Sequence, residues 1–378
     1  MSKHSDEAGQ MLRNGKYKRT DDEQPAANDQ KRAALGDISN KALQRCEQGI
    51  SKLGVQSTAA GAQSRPAMRM TRLASRQMQQ DAVVPSYSDG ANPMSVENNT
   101  AEIIDVDAPD HANTQLCVSY VRDIYDHLSE IEQQHRIATQ YMHSQRDINS
   151  TMRGILIDWL VEVAEEYRLV PETLYLAVNY IDRFLQWVPV NRGKLQLVGV
   201  TCMLIASKYE EVNPPAVDEF VYISDNTYTR EEILRMEAGI LNKLDFVLTV
   251  STPKVFLKRF FRVASVTANA NDTTNILSQY LCELTLQEYG FLKYLPSTVA
   301  ASCLFLSLHS LGQGSWDKTM AHYTHYTAPD MKRCVQDLLA VWTKASANSL
   351  QAVQEKYGAV RFLSVSHINP PTTLPLME

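Results

Sequence analysis

The sequence predicts an all-α protein in which two tandem five-helix units follow an N-terminal helix and a long disordered tail. Three observations support this prediction. Aromatic residues are nearly absent from the first 112 positions, apolar residues recur at helical spacing beyond them, and one segment recurs 101 residues later. The predicted divisions are 1–112 for the tail, 113–149 for the helix and its linker, 150–249 and 250–365 for the two units, and 366–378 for a C-terminal tail.

The N-terminal tail lacks the composition of a folded core. Of the 30 Phe, Tyr and Trp residues, only Tyr17 and Tyr87 precede residue 113. A segment this poor in aromatics buries too little apolar surface to offset its chain entropy, so we expect disorder. Residues 1–80 hold 14 basic and 8 acidic side chains, whereas residues 81–112 hold 7 acidic and no basic ones. We expect the ordered body to begin near Gln115.

Helices of the first unit are predicted from apolar spacing and from the residues that begin and end them. A helix over 116–133 carries one apolar stripe, and further helices are predicted at 152–167, 174–185, 194–211, 215–224 and 229–244. The side chains of 147–151 offer capping oxygens, and the prolines at 214 and 215 end the third helix of the unit. The stripe consists of Val118, Val121, Ile124, Leu128 and Ile131.

Two features of the units concern function. The helix that starts near Met152 is apolar on two faces, which fits either a central bundle helix or a core helix with a second, exposed docking stripe. Arg153, Asp158 and Asp182 lie among hydrophobic residues, where charges normally pair with one another. The repeated segments, 201–207 and 302–308, are followed by Lys-Tyr-Glu-Glu in the first copy and His-Ser-Leu-Gly in the second. If polar groups carry the function, the first copy carries them.

Composition and motifs exclude several classes of protein. The net charge of −6 lacks the basic excess of a bulk nucleic-acid binder, and no apolar run approaches a membrane span or a secretory signal, so a soluble intracellular protein is expected. The six cysteines show no zinc-finger spacing, which favours reduced thiols without a metal. Motifs of common enzyme classes are absent, and Glu210 and Glu211 have no evident acid/base partner, so neither catalysis nor a cofactor is expected.

Several segments together resemble the cyclin box of a mitotic cyclin. They are 152–156 (MRGIL), 158–162 (DWLVE), 179–184 (NYIDRF), 194–197 (KLQL) and 206–211 (ASKYEE). Segments 169–175 and 222–228 resemble the A-type, in a form typical of plants and green algae. The resemblance is dense over 116–250 and looser over 251–360. It implies two cyclin boxes and a non-catalytic regulatory subunit that activates a cyclin-dependent kinase, to which any ATP or Mg²⁺ would belong.

The resemblance also implies a kinase-binding surface. Lys208 and Glu237 match a pair that bonds the kinase backbone, whereas Arg153 and Asp182 match a buried pair that holds the box together. Apolar periodicity alone would equally place Leu241 and Phe246 in the core. The implied kinase-binding residues are Lys208, Glu237, Tyr209, Leu241, Phe246, Tyr120 and Ile124.

A second surface implied by the resemblance is a patch that docks Arg-x-Leu peptides of substrates and inhibitors. An apolar groove would take the Leu, and Glu162 would pair with the basic residue. Gly154 stands where the family usually has Ala, which would remove a methyl group near this groove. The implied patch consists of Met152, Ile155, Leu156, Trp159, Glu162 and Gln196.

The tail carries its own candidate motifs. Residues 32–40, with Arg32, Leu35 and Asn40, resemble a destruction box that a ubiquitin-ligase receptor captures, and the basic cluster Lys16–Arg19 fits either a nuclear-import signal or a solvated run. A nuclear location, with some protein in the cytoplasm, is expected. Outside the tail, Thr252 and Pro253 form the only Ser/Thr-Pro pair in the sequence. Their expected role is to begin the first helix of the second unit.

A related cyclin-fold protein of transcription, either a kinase partner or a DNA-binding adaptor, is the alternative function. A basic face on the folded part would favour DNA, but residues 113–378 hold 23 basic and 28 acidic side chains. The destruction-box-like segment favours cell-cycle turnover.

Overall fold

The computed structural model describes residues 103–374, which form twelve α-helices and six short 3-10 helices with no β-strand among them. The predicted all-α class is therefore confirmed. The first six α-helices are α1 Val118–Gln134, α2 Ser150–Glu166, α3 Pro171–Leu185, α4 Arg192–Glu210, α5 Val217–Ile223 and α6 Arg230–Lys243. The other six are α7 Pro253–Thr267, α8 Asp272–Gln287, α9 Pro296–Ser310, α10 Lys318–Thr324, α11 Ala328–Ala345 and α12 Ala352–Gly358. The 3-10 helices are Ala108–Asp110, Thr114–Leu116, Tyr141–Ser144, Tyr289–Lys293, Val360–Phe362 and Val365–His367.

The two units repeat one order of helices. We call residues 150–249, which contain α2 to α6, unit 1, and residues 250–365, which begin with α7, unit 2. At a spacing of 101 residues α5 coincides with α10, and each other helix of unit 1 begins within three residues and ends within one residue of its counterpart in unit 2. The repeat predicted from seven residues thus extends over five helices.

Three helices of unit 1 begin where a side-chain oxygen accepts a backbone N–H group. The Asn149 side chain accepts the N–H of Met152 at 2.9 Å, and Thr229 begins α6 in a capping box with Glu232. At α3 the acceptor comes from a distant helix end, because Glu211 Oε1 accepts the N–H of Val170 at 2.8 Å. This carboxylate, considered above as a possible catalytic group, has a structural contact.

The central helix of each unit is the third one. Every residue of α4 from 197 to 207 and every residue of α9 from 299 to 308 is buried. Helix α2 has two faces, as its pattern predicts: Ile157, Leu160 and Val161 are fully buried, whereas Met152 and Trp159 are half-buried. Helix α2 is thus a core helix that also presents a half-buried apolar stripe, and the central position in the unit belongs to α4.

The ordered body begins earlier than the sequence predicts. Val106 is fully buried, although it precedes the expected boundary near Gln115 and lies within the part predicted as a disordered tail. Residues 103–117, which we call the N-terminal strap, lead into α1. Asp105 and Asp107 flank Val106, and the short apolar stretch around them shows no helical or strand period, so periodicity could not identify it as part of a core.

The junction between the units lies at Ser251 and Thr252. Both residues are buried at 3% exposure, and Thr252 precedes α7 without a capping hydrogen bond from its side chain. The five cysteines within residues 103–374 are free thiols, of which Cys117 is exposed. No helix in this described range is long and apolar enough to cross a membrane.

Candidate functional site

The end of α4 meets the middle of α6 in an ion pair. Lys208 Nζ lies 2.6 Å from Glu237 Oε1, and the side chains are 44% and 14% exposed. Two residues implied to act together are thus in contact with each other. The Glu237 side chain is thus largely buried, whereas the Lys208 side chain is nearly half exposed.

Apolar residues follow both members of this ion pair along the chain. Leu241 lies one turn after Glu237 on α6 and is half-buried against the core, whereas Tyr209 is 44% exposed. The Tyr209 hydroxyl lies 2.7 Å from Thr249 Oγ1, which ties the end of α4 to the chain that follows α6. We call Lys208, Tyr209, Glu237, Leu241 and Phe246 the α4–α6 surface.

Phe246 is the most exposed member of the α4–α6 surface. It is 64% exposed, so the alternative that it belongs to the core is wrong. Asp245 and Phe246 both have left-handed backbone, with φ of 52° and 56°. A bulky residue in this region costs about 1–3 kcal/mol and persists only where its surroundings hold it there. Strain at an exposed aromatic residue is typical of a functional position.

Two side chains of helix α3 bind the backbone directly after Phe246. The Arg183 guanidinium donates to the carbonyl of Val247 at 2.8 Å, and the Tyr180 hydroxyl donates to the carbonyl of Leu248 at 2.9 Å. Both donors belong to buried side chains of α3. The exposed ring of Phe246 is therefore carried by a backbone that is anchored to the core of unit 1.

Helix α1 presents a second apolar surface. Tyr120 and Ile124, one turn apart, are 66% and 45% exposed, whereas Ile131 near the helix end is 9% exposed. The predicted single stripe is thus divided, because its last residues pack on the body and Ile124 does not. Periodicity locates such a stripe but cannot show which part of it has a packing partner.

The implied docking patch lies on α2 and α4. Met152, Ile155, Trp159 and Gln196 are half-buried, and Glu162 is exposed. Leu156 differs from them, since it is 6% exposed and packs against the backbone of α4, where a Cβ at Gly199 would stand 2.6 Å from its Cδ1. Leu156 therefore lies beneath the patch and not on its surface.

The expectation about Gly154 is wrong. A Cβ at this position would lie 3.2 Å from Leu350 Cδ1 and 3.3 Å from the carbonyl oxygen of Gln287, both in unit 2. The residue faces the contact between the units, on a different side of α2 from the patch. The sequence could not reveal this, because two faces of α2 are apolar and only the tertiary fold decides which one meets unit 2.

Arg153 and Asp182 form a bidentate ion pair in the core. The Nε–Oδ1 and Nη2–Oδ2 distances are both 2.6 Å, and each side chain is 2% exposed. Tyr141 donates its hydroxyl to Asp182 at 2.7 Å, and Arg153 Nη1 donates to the carbonyl of Leu286 in unit 2 at 2.9 Å. Burial opposes the charge of Arg153, but the Asp182 carboxylate outweighs it and raises the Arg153 pKa overall.

Asp158 does not take part in this charge pairing. Its Oδ1 accepts the side-chain amide of Gln287 at 2.6 Å and the N–H of Ala352 at 2.9 Å. The carboxylate thus caps α12 and joins α2 to unit 2, a function that local sequence could not show. Burial raises its pKa above the usual value.

Within residues 103–374, no group of three or more His, Cys, Asp or Glu side chains is placed to hold a metal ion. The destruction-box-like segment with Arg32, Leu35 and Asn40 and the basic cluster Lys16–Arg19 lie outside the described residues.

Comparison with known protein families agrees with the arrangement of two tandem helical units. Residues 123–249 match the cyclin N-terminal domain and residues 251–371 match the cyclin C-terminal domain. The chain therefore belongs to the cyclin family, with both of its domains in tandem.

Within this family the chain is similar to A-type cyclins of plants, as the sequence motifs predict. Cyclin-A1-1 of Oryza sativa subsp. japonica is 47% identical over 292 residues, which cover 76% of this chain and 56% of that protein. Cyclin-A1-2 of Arabidopsis thaliana is 47% identical over 281 residues, which cover 72% of this chain and 63% of that one. Cyclin-A1-4 of Oryza sativa subsp. japonica is 46% identical, over 72% of this chain and 78% of its own length.

The matched part of the chain spans less than two thirds of the length of the first two of these relatives.

Among solved structures, a viral cyclin from herpesvirus saimiri is similar, with a TM-score of 0.52 at 20% identity over 57% of this chain and 96% of that chain. This likeness concerns the fold.

Proposed function

We propose that the chain is a regulatory subunit that binds and activates a cyclin-dependent Ser/Thr kinase and contributes no catalytic group of its own. The observation that carries the proposal is the α4–α6 surface, where the strained and exposed Phe246 accompanies the ion pair of Lys208 and Glu237. Aromatic side chains that stay exposed in the free protein are typical anchors of protein interfaces.

The chemistry of this surface suits the backbone of a partner helix. Lys208 can donate to a carbonyl oxygen and Glu237 can accept an N–H, while Leu241 and Phe246 exclude water around them. Each hydrogen bond to a charged group is worth about 1.5–3 kcal/mol when it is made away from water. Tyr120 and Ile124 on α1 add a second contact area to the interface.

Activation in this proposal is a shift between kinase conformations. A partner that binds the active arrangement of the kinase more tightly than the inactive one moves the population toward the active state by that difference in affinity. The rigid support of the α4–α6 surface by α3 fits this role, because an ordered surface loses little entropy when it binds.

We also propose that Met152, Ile155, Trp159 and Glu162 recruit substrates and inhibitors that contain Arg-x-Leu. Half-buried apolar side chains next to an exposed carboxylate support this proposal. Recruitment would serve cell-cycle progression through S phase and G2/M. Nucleic acid and membranes are not among the proposed partners.

For the tail we propose turnover through a ubiquitin-ligase receptor and a location in the nucleus with some protein in the cytoplasm. The sequence alone supports both, through Arg32, Leu35 and Asn40 and through the basic cluster Lys16–Arg19. Replacement of Arg32 and Leu35 by Ala should lengthen the half-life of the chain in mitotic extract, and unchanged decay would remove the destruction box from the proposal.

The decisive experiment measures protein-kinase activity of purified cell-cycle kinases with and without the full chain. Activity should appear only on mixing and should be lost when Lys208→Ala and Glu237→Ala are combined. Lys194→Ala is the matched control, because Lys194 forms a 2.8 Å ion pair with Glu232 between the same two helices, α4 and α6. Circular dichroism should show equal helicity in all variants.

Two results would contradict the proposal. If the wild-type chain neither binds nor activates any of several cell-cycle kinases, the function moves to the transcription-associated class. If the wild type activates but the double variant does so equally well, the α4–α6 surface is not the interface.

For the docking patch, Trp159→Ala should reduce activity on Arg-x-Leu substrates far more than on a short generic peptide.

A further inference from the structure

The N-terminal strap lies along unit 2. The N–H of Ile104 donates to Thr319 Oγ1 at 3.2 Å, and the N–H of Val106 donates to the Tyr323 hydroxyl at 3.4 Å. Val106 is fully buried. The strap is thus attached to α10 by its backbone and to the core by one apolar side chain.

Two ion pairs fasten the strap to α7. Asp107 makes a bidentate pair with Arg259 at 2.6 Å for both contacts, and these side chains are 16% and 9% exposed. Asp110 lies 2.5 Å from Arg262 in a more exposed pair, at 26% and 41%. We call Asp107, Asp110, Arg259 and Arg262 the acidic clasp.

Within the acidic clasp, Arg259 also contacts α1. Its guanidinium lies 5.7 Å from the ring centroid of Tyr125 on α1 and 5.2 Å from that of Tyr323 on α10. One cation therefore contacts the strap, α1 and unit 2 together. Such shared contacts couple the position of one element to that of another.

One face of α1 rests on unit 2 and the junction, whereas another remains exposed. The Tyr125 hydroxyl donates to the carbonyl of Val255 at 3.4 Å, and Ser251 Oγ donates to the carbonyl of Leu128 at 2.6 Å. Tyr120 and Ile124 are exposed. The strap enters α1 at Val118, so the clasp fixes the end of α1 that carries Tyr120.

We propose that the acidic clasp is a positioning device for kinase binding, which holds α1 so that Tyr120 and Ile124 meet the partner together with the α4–α6 surface. This inference rests on the proposed function. None of the four clasp residues belongs to the implied interface, so each acts through α1. The physical basis is entropy, since a loosened α1 must be ordered again when the kinase binds.

The first test uses the full chain with Asp107→Asn, which removes the charge and keeps the side-chain shape. Affinity for the kinase should fall about fivefold or more, at the lower end of typical coupling between sites. Activity at saturating concentrations should stay unchanged, because the bound geometry is the same. Asp110→Asn should have a smaller effect, since its more exposed pair is screened by salt.

The matched control is Asp126→Asn, which makes the same chemical change at an exposed position of α1. On a helical wheel Asp126 points well away from Tyr120 and Ile124, about 120° from the first and about 160° from the second, so its replacement should leave the affinity unchanged. An equal loss of affinity in this control and in Asp107→Asn would overturn the proposal, because a general charge effect would then explain both.

A double-mutant cycle separates positioning from general stability. When Tyr120 and Ile124 are both replaced by Ala, the clasp has nothing left to position, so adding Asp107→Asn should cause no further loss of affinity. A loss as large as in the wild-type background would show that the clasp acts elsewhere and would overturn the proposal.

Hydrogen exchange of the free chain tests the device without any kinase. In Asp107→Asn and in Asp110→Asn, amides of the strap and of the first turns of α1 should exchange faster, while those of α4 keep their protection. Unchanged exchange in α1 would overturn the proposal even if the kinase experiments were positive. If the wild type activates no kinase, the proposed function fails, and the hydrogen-exchange result then decides separately whether the clasp orders α1.

Discussion

Unit 1 and unit 2 have the same order of helices but differ in the polar side chains that they expose. Lys208 of α4 is 44% exposed beside Glu237, whereas His309, its counterpart 101 residues later, lies with Nε2 3.0 Å from the carbonyl oxygen of Thr373 in the C-terminal segment. At the same spacing Glu237 corresponds to Leu338, which is fully buried. The repeated fold therefore serves as a scaffold, and a few side chains of one copy provide the candidate site.

The comparison extends to the buried acids. Asp182 of α3 corresponds to Glu283 of α8, and both residues are buried. Asp182 forms an ion pair with Arg153 on the first helix of its unit. Glu283 forms its ion pair with Lys356 on α12, where Nζ lies 2.7 Å from Oε1. Lys254, the counterpart of Arg153, donates instead to Gln279 at 2.6 Å. Each unit keeps a buried carboxylate but takes its cation from a different element.

The largest effect is expected when Arg153 is replaced by Met. This change leaves Asp182 charged and buried without its cation, so the unfolding free energy should fall by about 3–5 kcal/mol. Urea denaturation followed by circular dichroism measures the loss. Lys254→Met at the counterpart position should cost about 1 kcal/mol or less, because the buried carboxylate of Glu283 keeps its ion pair with Lys356. Equal losses at the two positions would show that the units use these cations alike.

A smaller effect is expected at Asp158. Asp158→Ala removes the acceptor of the Gln287 amide and the Ala352 N–H, and the loss of a buried acceptor should cost about 1–3 kcal/mol. Asp158→Asn keeps an oxygen at that place and should retain most of the stability at neutral pH. Denaturation of both variants beside the wild type checks this order, and a larger loss for Asn than for Ala would contradict it.

The same carboxylate gives a prediction on pH. Burial raises the Asp158 pKa above its usual value of 3.8, so the folded chain binds the proton more tightly than the unfolded chain. The contribution of this group to the unfolding free energy is therefore greatest in acid and falls as the pH rises through the raised pKa. Asp158→Asn should gain stability relative to the wild type over that interval. A constant difference from pH 4 to pH 7 would contradict the assignment.

The smallest effects are expected at two helical glycines. Gly239 of α6 has open space where a Cβ would stand, so Gly239→Ala should stabilise the chain by about 0.5–1 kcal/mol through helix propensity. Unit 2 already has Ala340 at the equivalent position. Gly154→Ala should gain less or lose stability, because its Cβ would meet Leu350 Cδ1 at 3.2 Å. Thermal unfolding of the two variants measures the difference, and an equal gain would mean that the units separate easily near α2.

Local sequence was sufficient for the features that depend on periodicity and capping. It predicted α1 to α6 within three residues at each end, and a seven-residue repeat revealed the order of helices in unit 2. It did not show that Phe246 is exposed, because that depends on two left-handed residues held by α3. Nor could it show the acidic clasp, since Asp107 and Arg259 are 152 residues apart and the strap contains one buried apolar side chain.

The burial of Thr252 affects how the chain can be modified. It precedes the only proline that follows a Ser or Thr in the sequence, yet it is 3% exposed at the junction of the units. A kinase that requires proline after the acceptor residue must bind several residues in extended form, which the start of α7 prevents in the folded chain. Phosphorylation there would first require α7 to detach from the junction, so its rate would follow the rare opening of that helix. A kinase of this specificity would therefore reach Thr252 only during such openings.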